Sequence, residues 1–462
     1  MSRWVILLCF APLLAFTQTE KSTVFSLDSF LSVVKKHHPI ALQASLQTKK
    51  GDATLQKARG GFDPKIQADI AQKYFKEKEY FELGESKLKI PTWFGIELEG
   101  GYERNQGQFL NPENNVPNAG LWFAGVSVPI GKGLFIDERR AELRKAQSIV
   151  IQSQAERDLI LNELLFSAGI AYWDWFKSYN NLLVYIEAYQ LAEERVNAIK
   201  QSAVLGDAPF IDTLEAGIQL QNRILNLEQT KLNYKNSTAY LSIFLWKEGV
   251  IPLEVKEGII PESMDNIRAE KLQLSIEMDS LLNKHPELRR SRAKIEQLKI
   301  EERWSKEQLK PSLNLKYKPI TEAITNDPFA EYSINNYTWG LQFEFPIFLR
   351  KERGKLNLVQ LKKNESEFLL QNKRELLDYK IEVAINEFET TQGQIQLYSK
   401  TTQDYKSLLD GERRLFNNGE SSLFLVNSRE LGFINARIKL IELVAKNKNS
   451  ILKLDYALGN LN

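Results

Sequence analysis

Gly340-Leu341-Gln342-Phe343-Glu344-Phe345-Pro346-Ile347 is the stretch on which the fold turns, because Gly125-Val126-Ser127-Val128-Pro129-Ile130 repeats its pattern earlier in the chain. In both, residues alternate with period two and the run stops on Pro-Ile, the mark of a strand with one apolar and one tolerant face. Upstream of each lies a His-Pro pair, His38-Pro39 and His285-Pro286, and 25 positions after each of these prolines comes another, Pro64 and Pro311. Downstream of each lies a proline-free run whose apolar positions superpose at one constant offset: Leu161, Leu165, Ala168 and Tyr172 against Leu377, Ile381, Ala384 and Phe388. Gly206 and Gly419 then mark turns into a further helix. A repeat fixes what counts as one structural unit, and here the unit is helix, strands, very long helix, turn, helix.

The two copies cover residues 18–247 and 269–462, joined by a linker over 248–268 that holds Pro252, Gly258 and Pro261. Helical pattern over 26–60 and about 271–308 is broken at the two His-Pro pairs, since proline interrupts the helix and pushes the preceding residue out of helical geometry. The histidines read as polar residues at helix breaks, because no further His, Cys or acidic cluster keeps metal-ligand spacing with them. The long helices are expected from about Asp137 to Ala203 and from about Lys351 to Phe416, and the return helices over about 211–247 and 422–458. At 1.5 Å per residue the long runs extend about 100 Å, far beyond the usual helix. Helices of this length need neighbours in a coiled-coil-like array, and the seam Leu370, Leu377, Ile381, Ala384, Phe388 supplies one. Tyr172, Trp173, Trp175 and Phe176 read as packing between helices.

Strands are expected over about 64–130 and 311–347. Leu313, Leu315 and Tyr317 alternate with Asn314 and Lys316, and Ile66, Ala68 and Ile70 begin the first set, which Phe94, Ile96 and Leu98 continue. Segments of about ten residues with this dyad fit membrane strands, and the aromatics at their ends, Trp93, Trp122, Phe123, Tyr337 and Trp339, are types favoured at a membrane interface. The first strand region is longer by about 30 residues than the second, which an added hairpin around Lys87–Asn105 accounts for.

Met1 to about Thr17 has the form of a signal peptide: Arg3, an apolar run from Trp4 to Leu14, and a small-residue exit. Cys9, the single cysteine, falls inside it, so no disulfide or thiol-bound metal is expected in the mature chain. No later apolar run is long enough for a helical membrane span, which leaves a soluble exported protein or a β-barrel. The balance of 61 basic and 59 acidic residues, well interspersed, gives no nucleic-acid signal. There is no GxxxxGK[ST], nucleophile elbow, HExxH or paired-Cys site, so neither an enzyme nor a cofactor is expected.

In its duplicated order of elements, its two helix–Pro breaks, its paired strand endings and its two Gly-containing tips, the chain resembles the TolC-like outer-membrane efflux protein family of Gram-negative bacteria. The resemblance covers almost all of the mature sequence. It implies a fold class that is mainly α with a β-barrel part: a homotrimer with a helical periplasmic tunnel and one shared barrel in outer-membrane lipid. It also implies an exit duct for a tripartite efflux or type I secretion system, working with a periplasmic adaptor and an inner-membrane pump. The tips, Val204, Leu205, Gly206 and Asp207 in one copy and Asn418, Gly419 and Glu420 in the other, are then the adaptor-contacting candidates. Asp212, Phe416 and Ser421 are the gate candidates. Asp212 stands where the family often has a gate aspartate, Phe416 keeps an aromatic without its hydroxyl, and Ser421 replaces an Arg, so weaker polar contacts and packing are expected to hold the gate. Asp212 also has the ordinary place of an acidic residue in a helix's first turn. The alternative is a soluble periplasmic coiled-coil adaptor or scaffold, which explains the long helices but not two symmetric sets of aromatic-flanked strands.

Overall fold

The computed structural model describes residues 23–207, 209–256, 258–264, 282–322 and 333–461. The expected signal peptide with Cys9, the start of the helix expected from about 271, and most of the loop 325–336 lie outside them. The chain divides into two compact units, one of residues 1–39, 165–272 and 385–452, the other of 40–164, 273–384 and 453–462.

In the first unit, strand β1 (Thr23–Val24) pairs in parallel with β8 (Ile259–Ile260), fastening the chain's start to the linker. Helix α1 (Leu27–His37) is capped by Ser26, whose hydroxyl accepts from the Ser29 N–H. Helix α2 (Pro39–Arg59) follows directly and from residue 40 belongs to the second unit. Residues 165–205 of helix α3 (Glu138–Leu205) and helix α4 (Phe210–Ser242) run to and from the first tip. Phe30, Tyr172, Trp173, Trp175 and Phe176 are buried, with Phe30 stacked on Tyr172 at 5.9 Å. Their polar atoms are largely matched: the Tyr172 hydroxyl donates to Phe25 O at 2.8 Å and Trp175 Nε1 donates to Thr238 Oγ1 at 3.1 Å. Helix α4 stops at Ser242, short of the expected 247, because a hairpin of β6 (Trp246–Lys247) and β7 (Ile251–Pro252) begins there. His38 stacks on Phe244 at the α1–α2 break and meets Trp246 edge-on. It packs, as a residue at a helix break does.

In the second unit, strands β2 (Lys65–Phe75), β3 (Lys78–Pro91), β4 (Glu97–Gln106), β5 (Leu121–Pro129), β9 (Ser312–Thr321) and β10 (Tyr337–Glu344) form one antiparallel sheet in the order β10-β9-β5-β4-β3-β2. The β5–β9 pairing, Val126 against Tyr317 and Val128 against Leu315, joins the two repeats edge to edge. The first repeat contributes four strands and the second two, so the longer region does add a hairpin, turned at Thr92–Ile96. Phe94 and Ile96 lie in that turn rather than in a strand. Helix α5 (Pro286–Glu307) precedes the second strand pair; helix α6 (Arg350–Asn417) follows it, with residues 350–384 in this unit and the remainder, like most of helix α7 (Leu423–Leu458), in the first. α3 and α6 are each 68 residues long. Of the superposable apolar positions, all but the half-buried Leu161 are buried.

The second His-Pro pair packs differently from the first. His285 is the N-cap of α5, its Nδ1 accepting from the Glu287 N–H at 3.1 Å, while Nε2 is buried with no partner among the described residues. Burial pushes its imidazole down to about 4, against an upward pull from Glu287 and with a smaller push from Lys380. The neutral ring therefore stabilises the fold fully above pH 6.5, and that stability is lost as pH falls towards 4, since the unfolded chain takes up the proton first. The shift corresponds to about 3 kcal/mol. A His285→Gln variant should show a smaller drop in thermal unfolding temperature between pH 7 and pH 4.5 than the wild type; equal drops would sink the assignment.

Candidate functional site: sheet faces and helical tips

The register sorts the sheet into two surfaces. On one lie Ile66 and Ile70 of β2, Leu88 and Ile90 of β3, Leu98 and Tyr102 of β4, Trp122 and Val126 of β5, Leu315 and Tyr317 of β9, and Trp339, Leu341 and Phe343 of β10. Most of these are exposed large hydrophobic residues. The other surface carries Lys65, Asp69, Lys87, Glu85, Glu99, Lys316 and Lys318, with Lys87 bonded to Glu85 at 2.6 Å and Lys318 to Glu99 at 3.1 Å. An apolar band on one side and paired charges on the other is the division that a membrane strand needs.

Tyr337, Trp339 and Trp122 sit on the apolar surface, joined by Tyr102 and Tyr317, with Tyr102 against Trp122 at 4.9 Å between ring centres. Trp93 is exposed in the β3–β4 turn, at the sheet end from which α3 departs. There the Arg140 guanidinium donates to the carbonyls of Gly133, Leu134 and Phe94. Phe123 corrects the sequence reading. It is only 6% exposed and lies on the charged surface, under the Lys318 ammonium and over Gly101. Neighbouring residues of a strand point to opposite faces, so Trp122 and Phe123 cannot share one membrane belt.

Both tips end in the same backbone device. Gly206 (φ 84°) and Gly419 (φ 77°) take left-handed geometry. The following N–H groups, of Asp207 and Glu420, donate back to Ser202 O and Leu415 O, each at 2.9 Å, closing Schellman turns. A Cβ at either glycine would meet nothing within 4 Å, so the backbone angle alone requires the residue. Val204 (87% exposed), Leu205, Phe210 and Ile211 form an uncovered apolar first tip, whereas Asn417, Asn418 and Glu420 make the second polar. Asp212 is half-buried in the first turn of α4. Phe416 packs against Val196, Ile199, Ala216 and Leu423. The Ser421 hydroxyl donates to Glu412, which Arg429 also faces at 3.5 Å.

Above the tips the first unit holds a charged cluster. Glu430 of α7, 2% exposed, bonds Arg195 of α3, lies 3.5 Å from Arg413 of α6, and stands 3.8 Å from Arg223 of α4. Arg195 also donates to Asn427 Oδ1, and Asn427 donates to Glu215 at 3.0 Å. One carboxylate thus ties together all four helices near the tips. Its sequence signal is an acidic residue inside the apolar stripe Leu423, Val426, Glu430, Ile434, and Arg223 interrupts the stripe Ala216, Leu220, Leu227 in the same way. These ionic groups occupy seam positions of the helices, whereas the turns themselves hold polar contacts and packing.

No helix among the described residues is long and apolar enough to cross a membrane. Residues 278–460 match the outer membrane efflux protein family. The fold matches the Campylobacter jejuni CmeC outer membrane channel at 17% identity and a TM-score of 0.67, over 94% of this chain and 85% of that one. It matches the open state of the Neisseria gonorrhoeae MtrE outer membrane channel at 13% identity and a TM-score of 0.68, over 94% and 89%. The outer membrane protein VceC of Vibrio cholerae matches at 15% identity and a TM-score of 0.65, over 94% and 96%. No curated protein matches by sequence.

Proposed function

We propose that three copies of this chain form the outer-membrane exit duct of a tripartite efflux or type I secretion system. The observation that carries this reading is the sheet: its apolar surface needs lipid, and its two unpaired edges, β2 and β10, need neighbouring strands there. The helices then line a periplasmic tunnel and their tips face an adaptor. The duct performs no reaction; it opens when adaptor and inner-membrane pump dock and helix pairs shift at the tips. Val204, Leu205, Gly206 and Asp207, with Asn418, Gly419 and Glu420, are the docking residues, and the bare apolar first tip supports that role. Asp212, Phe416 and Ser421 line the constriction.

Fractionation tests the duct against the soluble adaptor or scaffold. A heat-resistant trimer in the outer membrane is expected, and release of the protein in a periplasmic wash overturns the proposal. In planar bilayers the resting conductance should be small and should rise several-fold in Asp212→Asn or Phe416→Ala. Unchanged conductance in both variants removes the gate assignment.

A further inference from the structure

The repeat pattern supplies two strands from the second copy, yet the sheet holds six strands in all. We propose that all six enter the shared wall, with β2 of one copy pairing antiparallel with β10 of the next, so that a trimer closes on eighteen strands rather than twelve. This inference rests on the trimeric duct proposed above and concerns its outer opening.

Three observations carry it. First, β2 and β3 keep the same alternation as the other four strands. Ile66, Ala68 and Ile70 face Leu88, Ser86 and Gly84 on the apolar surface, while Lys65, Gln67 and Asp69 face Lys89, Lys87 and Glu85 on the charged one. A flap lying outside the lipid would have no use for Ile66, Ile70, Leu88 and Ile90 on the face that continues the apolar side of β4. Second, β2 and β10 are the edge strands of the sheet and the two of its six exposed at every residue, and each leaves a row of backbone N–H and C=O groups unpaired. In hydrocarbon each unpaired group costs several kcal/mol, so closure edge to edge is strongly favoured. Third, the count is even. Six successive antiparallel neighbours leave β2 and β10 running in opposite directions, so identical copies join through an antiparallel pair with no change of pattern.

The consequence is a wide mouth. With strands about 4.8 Å apart and tilted about 40°, eighteen strands enclose a backbone radius of about 18 Å, against about 12 Å for twelve. Side chains reduce the free width of the larger barrel to about 20 Å. The charged surface is self-neutralised, Lys87 lying between Glu85 and Asp69 and Lys318 bonding Glu99. The outer opening therefore filters neither by sign of charge nor, up to that width, by size, and cargo selection falls to the helical tips.

Cysteine pairs in the full-length, membrane-inserted protein test the pairing. An Ala68→Cys and Leu341→Cys pair, with neighbouring positions scanned along β2 and β10, should give covalent trimers on denaturing gels. The competing arrangement, with the β2–β3 hairpin folded off the wall, predicts crosslinks between Gly100→Cys on β4 and the same β10 positions instead. Electron cryo-microscopy of the unmodified trimer gives a second measure, a barrel about 36 Å across between backbones being expected and one of about 24 Å overturning the strand count. A trimer with β4–β10 crosslinks or the narrow barrel sinks this inference and leaves the duct intact. Absence of any trimer sinks both.

Discussion

Replacing Glu430 by alanine should loosen the helical tips more than any other single change near them. The carboxylate is buried among Arg195, Arg223 and Arg413, and its loss leaves three guanidinium groups around one uncompensated site. Removing one partner of a buried ion pair costs about 3–5 kcal/mol, because the remaining charge is neither solvated nor matched. Arg223 is the most exposed to this penalty: it is itself buried and its Nε has no partner among the described residues. Because the cluster draws on α3, α4, α6 and α7 together, its loss frees all four helices rather than one. Hydrogen exchange should speed up in the lower turns of α3 and α7, protease should cut at the Gly206 turn, and bilayer conductance should rise. Glu430→Gln should behave much like the alanine variant, since shape is kept and charge is lost. Exchange rates unchanged at the tips in both variants would show that hydrophobic packing, not the cluster, holds the helices.

The second large effect is expected in the sheet. A side chain at Gly101 would collide with Ser86 O and the Phe123 ring, the latter at 2.7 Å, and would lie 2.9 Å from Lys87 Cα. Two of these obstacles belong to the β3 backbone, which cannot swing aside without breaking the β3–β4 ladder. Overpacking that a core can relax costs about 1–3 kcal/mol, and a backbone obstacle costs more. Gly101→Val should therefore abolish the heat-resistant trimer in the outer membrane. The adjacent Gly100 is a matched control: a Cβ there meets only Phe123 O, at 3.7 Å, so Gly100→Ala should assemble normally. Normal assembly of the valine variant would mean that Phe123 does not fill the space over Gly101.

Much of the molecule is legible in local pattern. Period-two alternation in Leu313–Tyr317 and Trp339–Phe345 marks strands, and apolar steps in Leu377, Ile381, Ala384 and Phe388 mark a buried seam that is indeed buried. The glycines at both tips follow from the need for left-handed geometry where a helix stops. The site was legible only in part. Aromatic type alone places Phe123 in the belt, and only its strand phase, opposite to that of Trp122, puts it on the charged surface. The Glu430 cluster is not legible locally, because its members lie up to 235 positions apart in the chain and each looks like an ordinary charged helix residue. Their placement inside apolar stripes was the available signal.

The duplication, the long helices, the strands and the turns that reverse the chain follow from local pattern, because they depend on the period of neighbouring residues and on the backbone demands of Gly and Pro. Which strand lies beside which, the joining of six strands in one sheet, the face that Phe123 occupies and the gathering of three arginines around one carboxylate are set by the folded chain. Those outcomes depend on register and on burial between segments far apart in the chain. A shift of one residue in register exchanges the two faces of a strand, and no local pattern fixes the partner across which that register is counted.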